Sequence, residues 1–272
     1  MTLSPPHEAA PLVQIDVEKW HGAELTRCSD VVAEEVPVAL EYNGISHAVM
    51  LASPQDLEDF ALGFSLSEGI LQNASELFDC ELVAHADGIE VQLRIATERF
   101  VALKDKRRNI TGRTGCGLCG AETLQQAIRH PPPVSGTACF SGAALHAGMA
   151  AMQARQPMQQ QSGATHAAAW MNRDGEIELV REDVGRHNAL DKLIGALARQ
   201  RCELSSGAVL ITSRASYEMV QKAATLGIGF LAAISAPTNL AIQLAQSTNV
   251  TLVGFMRKNG HVVYAHSQRI AT

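Results

Sequence analysis

The chain has 272 residues, 46% hydrophobic and 18% charged, with a formal charge of −6 and an isoelectric point near 5.9. That length suits one large domain or two small ones, with ample apolar material for a core. The acidic balance argues against a general nucleic-acid binder, and no apolar run approaches the roughly 20 residues that span a bilayer. "MTLSPPHEAAP" lacks the basic-then-apolar order of a secretory signal, so a cytoplasmic protein without nucleic-acid or membrane partners is expected.

Residues 1–11 read as a loose tail and 12–103 as a small α+β unit. "VPVALEYNGISHAVMLAS" (Val36–Ser53) holds two strand-like runs about Asn43-Gly44, where both turn positions favour positive φ. "SPQDLEDFALGFSLSEG" predicts a helix with Ser53 as N-cap, Pro54 at the first helical position, Asp56 completing a capping-box pattern and Gly69 as the stop. "ELFDCELVAHADGIEVQLRI" predicts a second hairpin turning at Asp87-Gly88. "KDKRRNITGRTGCGLCG" (Lys104–Gly120) is basic and glycine-punctuated, which predicts a mobile loop.

Residues 121–272 read as an α/β domain. "AETLQQAIR" and "SGAALHAGMAAMQAR" have helical spacing, and a Gln-rich linker follows the second. "ATHAAAWMNRDGEIELVRED" predicts a hairpin about Asp174-Gly175, and "DVGRHNALDKLIGALARQ" an amphipathic helix that Asp183 can cap. "GAVLITS", "YEMVQKAATLG", "GFLAAIS", "PTNLAIQLAQS" and "VTLVGFM" then alternate strand with helix, and "HVVYAHS" is a last strand. Short buried strands alternating with helices imply a mainly parallel sheet covered on both faces.

Six cysteines are scattered along the chain, which in a reducing compartment is not a disulfide framework. Cys28, Cys80, Cys139 and Cys202 are isolated and read as small hydrophobes. Cys116 and Cys119, in "RTGCGLCG", are spaced for chemistry. Three chemistries use such a pair. A zinc site needs two further ligands, and His130 and His146 stand at no recognised spacing. A thioredoxin-like redox pair needs a preceding strand, which is missing here. A persulfide carrier needs a stabilised thiolate on a backbone free to move. Lys104, Lys106, Arg107, Arg108 and Arg113 precede the pair and a helix start follows it, a setting that lowers a thiol from its ordinary pKa of about 8.5. Glycines at 112, 115, 117 and 120 supply the freedom. The same basic run also reads as a solvated face.

Three strand-to-helix junctions hold further candidates. "DVGRHN" carries Arg186 and His187 at a helix start, where an anion is favoured. "TSRAS" carries Arg214, and "SAPTN" places Pro237 at a helix start. Ligands of open α/β sheets lie beyond the carboxyl ends of the strands, so these junctions and the "FMRKNG" turn are expected to converge on one pocket. Singly, each reads as a cap or, for Arg257–Gly260, a hairpin turn.

"RTGCGLCG", "EDVGRHNALDKLIG", "LITSRASYEMVQKAATLGI", "ISAPTNLAIQLA" and "LVGFMRKNGHVVYAH" run in order through more than half the chain, and with them the sequence resembles the FdhD family of accessory sulfurtransferases for formate dehydrogenase. The resemblance implies a cytidine deaminase-like mixed sheet with helices on both faces, and a homodimer. It implies a sulfur carrier that accepts sulfur from a cysteine desulfurase and passes it to the molybdenum of the bis(molybdopterin guanine dinucleotide) cofactor, its substrate, which goes on to formate dehydrogenase. The persulfide falls on Cys116, with Cys119 assisting. Cofactor binding falls on Phe255, Met256, Arg257, Lys258, Asn259 and Gly260, beside Arg186, His187 and Arg214; no resident metal is implied. Zinc deaminases also place Cys-x-x-Cys at a helix start, but they need a His-x-Glu or Cys-x-Glu, and none precedes Cys116. A non-catalytic cofactor chaperone and a thiol–disulfide redox protein are the rival readings.

Overall fold

The structure is a computed structural model that describes residues 10–108, 131–136, 138–257 and 260–271. Cys116, Cys119, Lys258, Asn259, most of the expected tail, and residues 109–120 of the expected loop lie outside the described residues. So does the helix expected at "AETLQQAIR".

Strands β1 (Leu12–His21) and β2 (Glu24–Ala33) pair as a separate antiparallel ribbon that turns at Gly22, with φ of 60°. Ile15, Trp20 and Leu25 are exposed on it. Four strands then form a second sheet: β3 (Val36–Tyr42), β4 (Ile45–Ala52), β5 (Leu77–His85) and β6 (Gly88–Ile95), in the order β4-β3-β6-β5. The β3–β4 turn is the expected one, with Asn43 and Gly44 at φ of 47° and 82°. Asn43 also ties the turn sideways: its side chain donates to the Ile95 carbonyl and accepts from the Ile95 amide at 3.1 and 2.8 Å.

Helix α1 (Leu57–Ser67) starts later than its capping pattern predicts. Asp56 takes the N-cap position in a left-handed conformation, without a side-chain cap. Ser53 is instead consumed by long-range bonds: its amide donates to Asp183 at 3.0 Å, its hydroxyl accepts from Val184, and its carbonyl accepts from Lys192. A buried seryl group that bridges to a distant turn is not free to cap. The C-terminal expectation holds, since Gly69 follows the helix with φ of 64°. Helix α2 (Thr97–Arg108) carries Lys104–Arg108, which the sequence reading places in a loop. Leu103 and the run of Lys and Arg are good helix formers, and Glu98 lies in the first turn.

The larger sheet has six strands in the order β13-β12-β11-β10-β8-β9. They are β8 (His166–Met171), β9 (Ile177–Asp183), β10 (Ala208–Ile211), β11 (Phe230–Ala233), β12 (Thr251–Arg257) and β13 (Gly260–Ala265). β10, β11 and β12 are parallel, but β8, β9 and β13 join through antiparallel pairings, so the sheet is mixed rather than mainly parallel. The β8–β9 hairpin turns at Gly175, as expected.

Side chains alternate across this sheet. Ala167, Ala169, Met171, Leu210 and Ala232 meet Leu145, Met149 and Met152 of α3 (Gly142–Ala154). Ala168, Trp170, Val209, Ile211 and Leu231 meet the opposite layer. That layer holds α5 (Arg186–Gln200), α6 (Tyr217–Thr225) and α7 (Asn239–Ser247). Its core runs on without a break through α1 to Val38, Leu40, Val91 and Leu93 of the four-stranded sheet. The stretch read as a Gln-rich linker is helix α4 (Pro157–Ser162), with Pro157 at its start. Glu182, at the end of β9, accepts from the amides of Met158 and Gln159 and so satisfies its first donors. The short strands β7 (Phe140–Ser141) and β14 (Ile270–Ala271) pair in parallel.

The crossing of α1 with α5 uses no side chains at its centre. A Cβ on Gly63 would lie 1.7 Å from the Asp191 carbonyl oxygen, and one on Gly195 1.9 Å from that of Asp59. Around it sit ion pairs built on the buried Asp59, Asp191 and Lys222. Asp59 binds Arg181 at 2.8 Å and Arg199 at 3.2 Å. Lys222 binds both oxygens of Asp191 at 2.9 Å and Glu68 at 3.1 Å. Burial disfavours the Lys222 ammonium, but the two carboxylates outweigh it and raise its pKa above that of an ordinary lysine.

Candidate functional site

The register of the six-stranded sheet brings several strand ends to one edge. Ile211 pairs with Ala168 and Ala233, and His166 pairs with Asp183. The start of β8 and the carboxyl ends of β9, β10, β11 and β12 therefore share that edge. The junctions are bonded side by side. Thr212 exchanges bonds with Ala167, Thr238 donates its amide to Ala215, and Phe255 donates to Ser235. Arg257 donates from Nε to the Ile234 carbonyl at 2.9 Å. Thus "DVGRHN", "TSRAS", "SAPTN" and the start of "FMRKNG" are neighbours, in the arrangement the strand–helix alternation predicts.

The first junction is braced from beneath. Asp183 is fully buried, 2.7 Å from the equally buried Lys192, and also accepts from Ser53, Gly185 and Asn188. It thus caps the turn rather than α5 itself, whose N-cap is Gly185. With that turn fixed, Arg186 and His187 stand in the first turn of α5. His187 Nε2 lies 2.7 Å from Glu218, and this contact holds the Glu218 carboxyl below its usual range despite burial. His166 is pushed below the ordinary histidine value, first by burial and then by the charges of Arg186 and His187. The charges that act on His166 are thus both cationic.

Among the described residues four buried polar atoms at this edge lack a hydrogen bond, Arg186 Nε, Ser216 Oγ, Gln156 Nε2 and His187 Nε2, and of these only His187 Nε2 has an ion-pair contact, the one to Glu218. Ser216 is the N-cap of α6 yet makes no side-chain cap bond. Unpaired buried donors are costly, so such a group suggests a ligand. Beside them opens a cleft of about 550 Å³, lined by Gln153, Gln156, Gln159, Thr165, His166, Thr212 and Ile234 among others.

The remaining candidates are not all alike. Arg214 is exposed at the second junction. Phe255 is 43% exposed and has φ of 54°, a left-handed conformation that a bulky residue adopts at a cost of about 1–3 kcal/mol. It sits where the β12–β13 register shifts. Met256 points the other way and is buried in the core, so it faces a ligand only through its backbone. Gly260 is exposed and pairs with Arg257. His166, Ser216, Glu218 and the cleft glutamines are not among the site residues expected from the sequence: His166 follows no usable pattern there, and Ser216 enters only as the end of "TSRAS". The polar "QARQPMQQQSGATH" run was the available signal for the glutamines, and only the fold brings it against the strand ends.

Among the described residues no three His, Cys, Asp or Glu side chains gather as a metal site, and no helix is long and apolar enough to cross a membrane.

Residues 33–271 match the model of the FdhD/NarQ family. The chain is 61% identical over 254 residues to the sulfur carrier protein FdhD of Cupriavidus necator, covering 93% of this chain and 88% of that one. It is 57% identical over 242 residues to the sulfur carrier protein FdhD of Bordetella petrii, covering 89% and 87%. Its fold is similar to a crystal structure from Desulfotalea psychrophila named as a formate dehydrogenase accessory protein, with a TM-score of 0.75 and 22% identity over 96% of this chain and 100% of that one. The matched span takes in the Cys116–Cys119 pair and every strand end at the edge, and the chain therefore belongs to the FdhD/NarQ family.

Proposed function

We propose that this chain is a cytoplasmic sulfurtransferase that carries sulfur as a persulfide on Cys116. It accepts sulfur from a cysteine desulfurase and transfers it to the molybdenum of a bis(molybdopterin guanine dinucleotide) cofactor, its substrate, on the way to formate dehydrogenase. The observation that carries this reading is the identity to sulfur carrier proteins across nearly the whole chain. The Arg186 and Ser216 atoms at the sheet edge, unpartnered among the described residues, support an anionic substrate there, because a phosphate oxygen satisfies both donors. Exposed Phe255, Arg257 and Arg214 lie on the same sheet edge, with Lys258 and Asn259 next in the chain. We further assign the mixed sheet to the cytidine deaminase-like class and the assembly to a homodimer.

The transfer balances as two exchanges. The Cys116 thiolate attacks the outer sulfur of the desulfurase persulfide, that S–S bond breaks, and the desulfurase leaves as a thiolate. The Cys119 thiolate then attacks Cys116 Sγ, the outer sulfur departs as sulfide for the metal, and a Cys116–Cys119 disulfide remains for a cellular dithiol to reduce. Arg186 and Arg214 hold the substrate's anionic groups, while Phe255 offers an aromatic face.

Intact-mass analysis after incubation with a cysteine desulfurase and cysteine tests this. The wild-type chain is expected to gain one sulfur atom and Cys116→Ala none. No gain beside an active desulfurase, or full cofactor sulfuration by Cys116→Ala, refutes the carrier and leaves the chaperone reading.

A further inference from the structure

The functional edge makes no use of a second pair of side chains. His146 lies in the second turn of α3, and His261 is the second residue of β13. Their Nε2 and Nδ1 atoms are 3.3 Å apart, with ring centroids at 5.4 Å and planes inclined by 49°. Both rings are half-buried and reachable by solvent. The position of His261 depends on a glycine: a Cβ on Gly142 would stand 2.9 Å from its Cε1 atom. The backbone leaves this space, and the imidazole occupies it.

Two nitrogens at this separation have two uses. One proton lies between them as a hydrogen bond, or both lone pairs point at one cation. Metal–imidazole bonds are about 2.0–2.1 Å long, so two of them at a tetrahedral angle set their nitrogens about 3.3–3.4 Å apart. The observed separation meets that bite without movement. The protons also balance: with the hydrogen on Nδ1 of His146 and on Nε2 of His261, both rings stay neutral and the two facing nitrogens each keep a lone pair.

We propose that His146 and His261 form a two-imidazole site for a divalent transition-metal ion of the zinc, nickel or copper class. Imidazole nitrogen suits these ions, while calcium and magnesium take oxygen ligands. No third His, Cys, Asp or Glu among the described residues closes the site, so the other coordination positions go to water or to an incoming donor. The ion joins α3 to the first residues of β13. His261 directly follows Gly260, so the clip fixes the base of the Arg257–Gly260 hairpin, and it does so whether or not Cys116 carries sulfur.

The test uses the full chain with Cys116→Ser and Cys119→Ser, so that the thiol pair does not compete. Calorimetric titration with Ni²⁺ and Zn²⁺ and electron paramagnetic resonance with Cu²⁺ are the readouts. One ion per chain is expected, with a copper signal split by two imidazole nitrogens. His146→Gln and His261→Gln are each expected to weaken binding about tenfold or more and to abolish the metal-induced rise in Tm. Undiminished affinity in both variants, a sulfur-type copper signal, or no saturable binding overturns the site. Circular dichroism checks that the variants fold, and His146→Ala replaces any that does not.

Discussion

His166 shows how one residue reports the character of the edge. Among the described residues it has no charge partner of opposite sign; burial disfavours its charged form, and Arg186 and His187 add to that effect. Its folded pKa is therefore below the unfolded value of about 6.5, and the folded state binds fewer protons in that range. The sign follows directly. The stability that His166 contributes is fully present above about pH 6.5 and is lost as pH falls through and below that value. Denaturant midpoints measured between about pH 7.5 and 5.5 are expected to drop on acidification, and the drop is expected to shrink in His166→Gln. A bound phosphate would reverse the field, so the imidazole is expected to titrate higher by NMR when a guanine nucleotide is present; an unchanged titration counts against an anion at this edge. His166 was not legible in the sequence. It opens an alanine-rich strand, and its cationic neighbours arrive from residues 20 and 21 positions later in the chain. Arg186 and His187 were legible because a strand, a glycine and a helix surround them in a fixed order.

At the scale of elements, local turn chemistry was legible and long-range capping was not. Asn43-Gly44 and Gly175 place the left-handed residues that two-residue and short hairpin turns need, so those hairpins follow from their own few residues. The start of α1 does not, because Ser53 bonds to Asp183, Val184 and Lys192, more than a hundred residues away. Helix α4 escaped for the same reason: the carboxylate that satisfies its amides belongs to Glu182. The α1–α5 crossing gives the sharpest expectation at this scale. Gly63→Ala or Gly195→Ala drives a methyl group into a carbonyl oxygen and must force the helices apart. Overpacking of this kind costs about 3 kcal/mol or more when main chain is the obstacle. Urea unfolding is expected to show that loss for each variant; a loss below about 1 kcal/mol means the helices slide apart freely.

For the whole molecule, the alternation of strands and helices after Ala208 made the sheet and its carboxyl edge legible, and with them the convergence of three junctions. The antiparallel pairing of β8 with β10 and the continuity of the core were not, since each depends on pairing or packing between distant segments. That continuity has a measurable consequence. Apolar contacts run from Val38 and Leu93 through Phe60 and Leu190 to Val209 and Leu231, so the four-stranded sheet with α1 and the six-stranded sheet with its helices are expected to unfold together. Fluorescence of Trp170, buried in the large sheet, and far-ultraviolet circular dichroism of the whole chain are expected to give one coincident transition. An earlier loss of ellipticity with Trp170 still buried indicates that the N-terminal unit melts alone.

The pinch between Gly63 and Gly195 also limits how mutations there can be repaired. Where two side chains collide, trimming one relieves the other. Here the obstacle on each side is a peptide group, which every amino acid possesses. A second-site suppressor of either substitution therefore has no neighbour to shorten, and must come from residues that re-aim an entire helix axis.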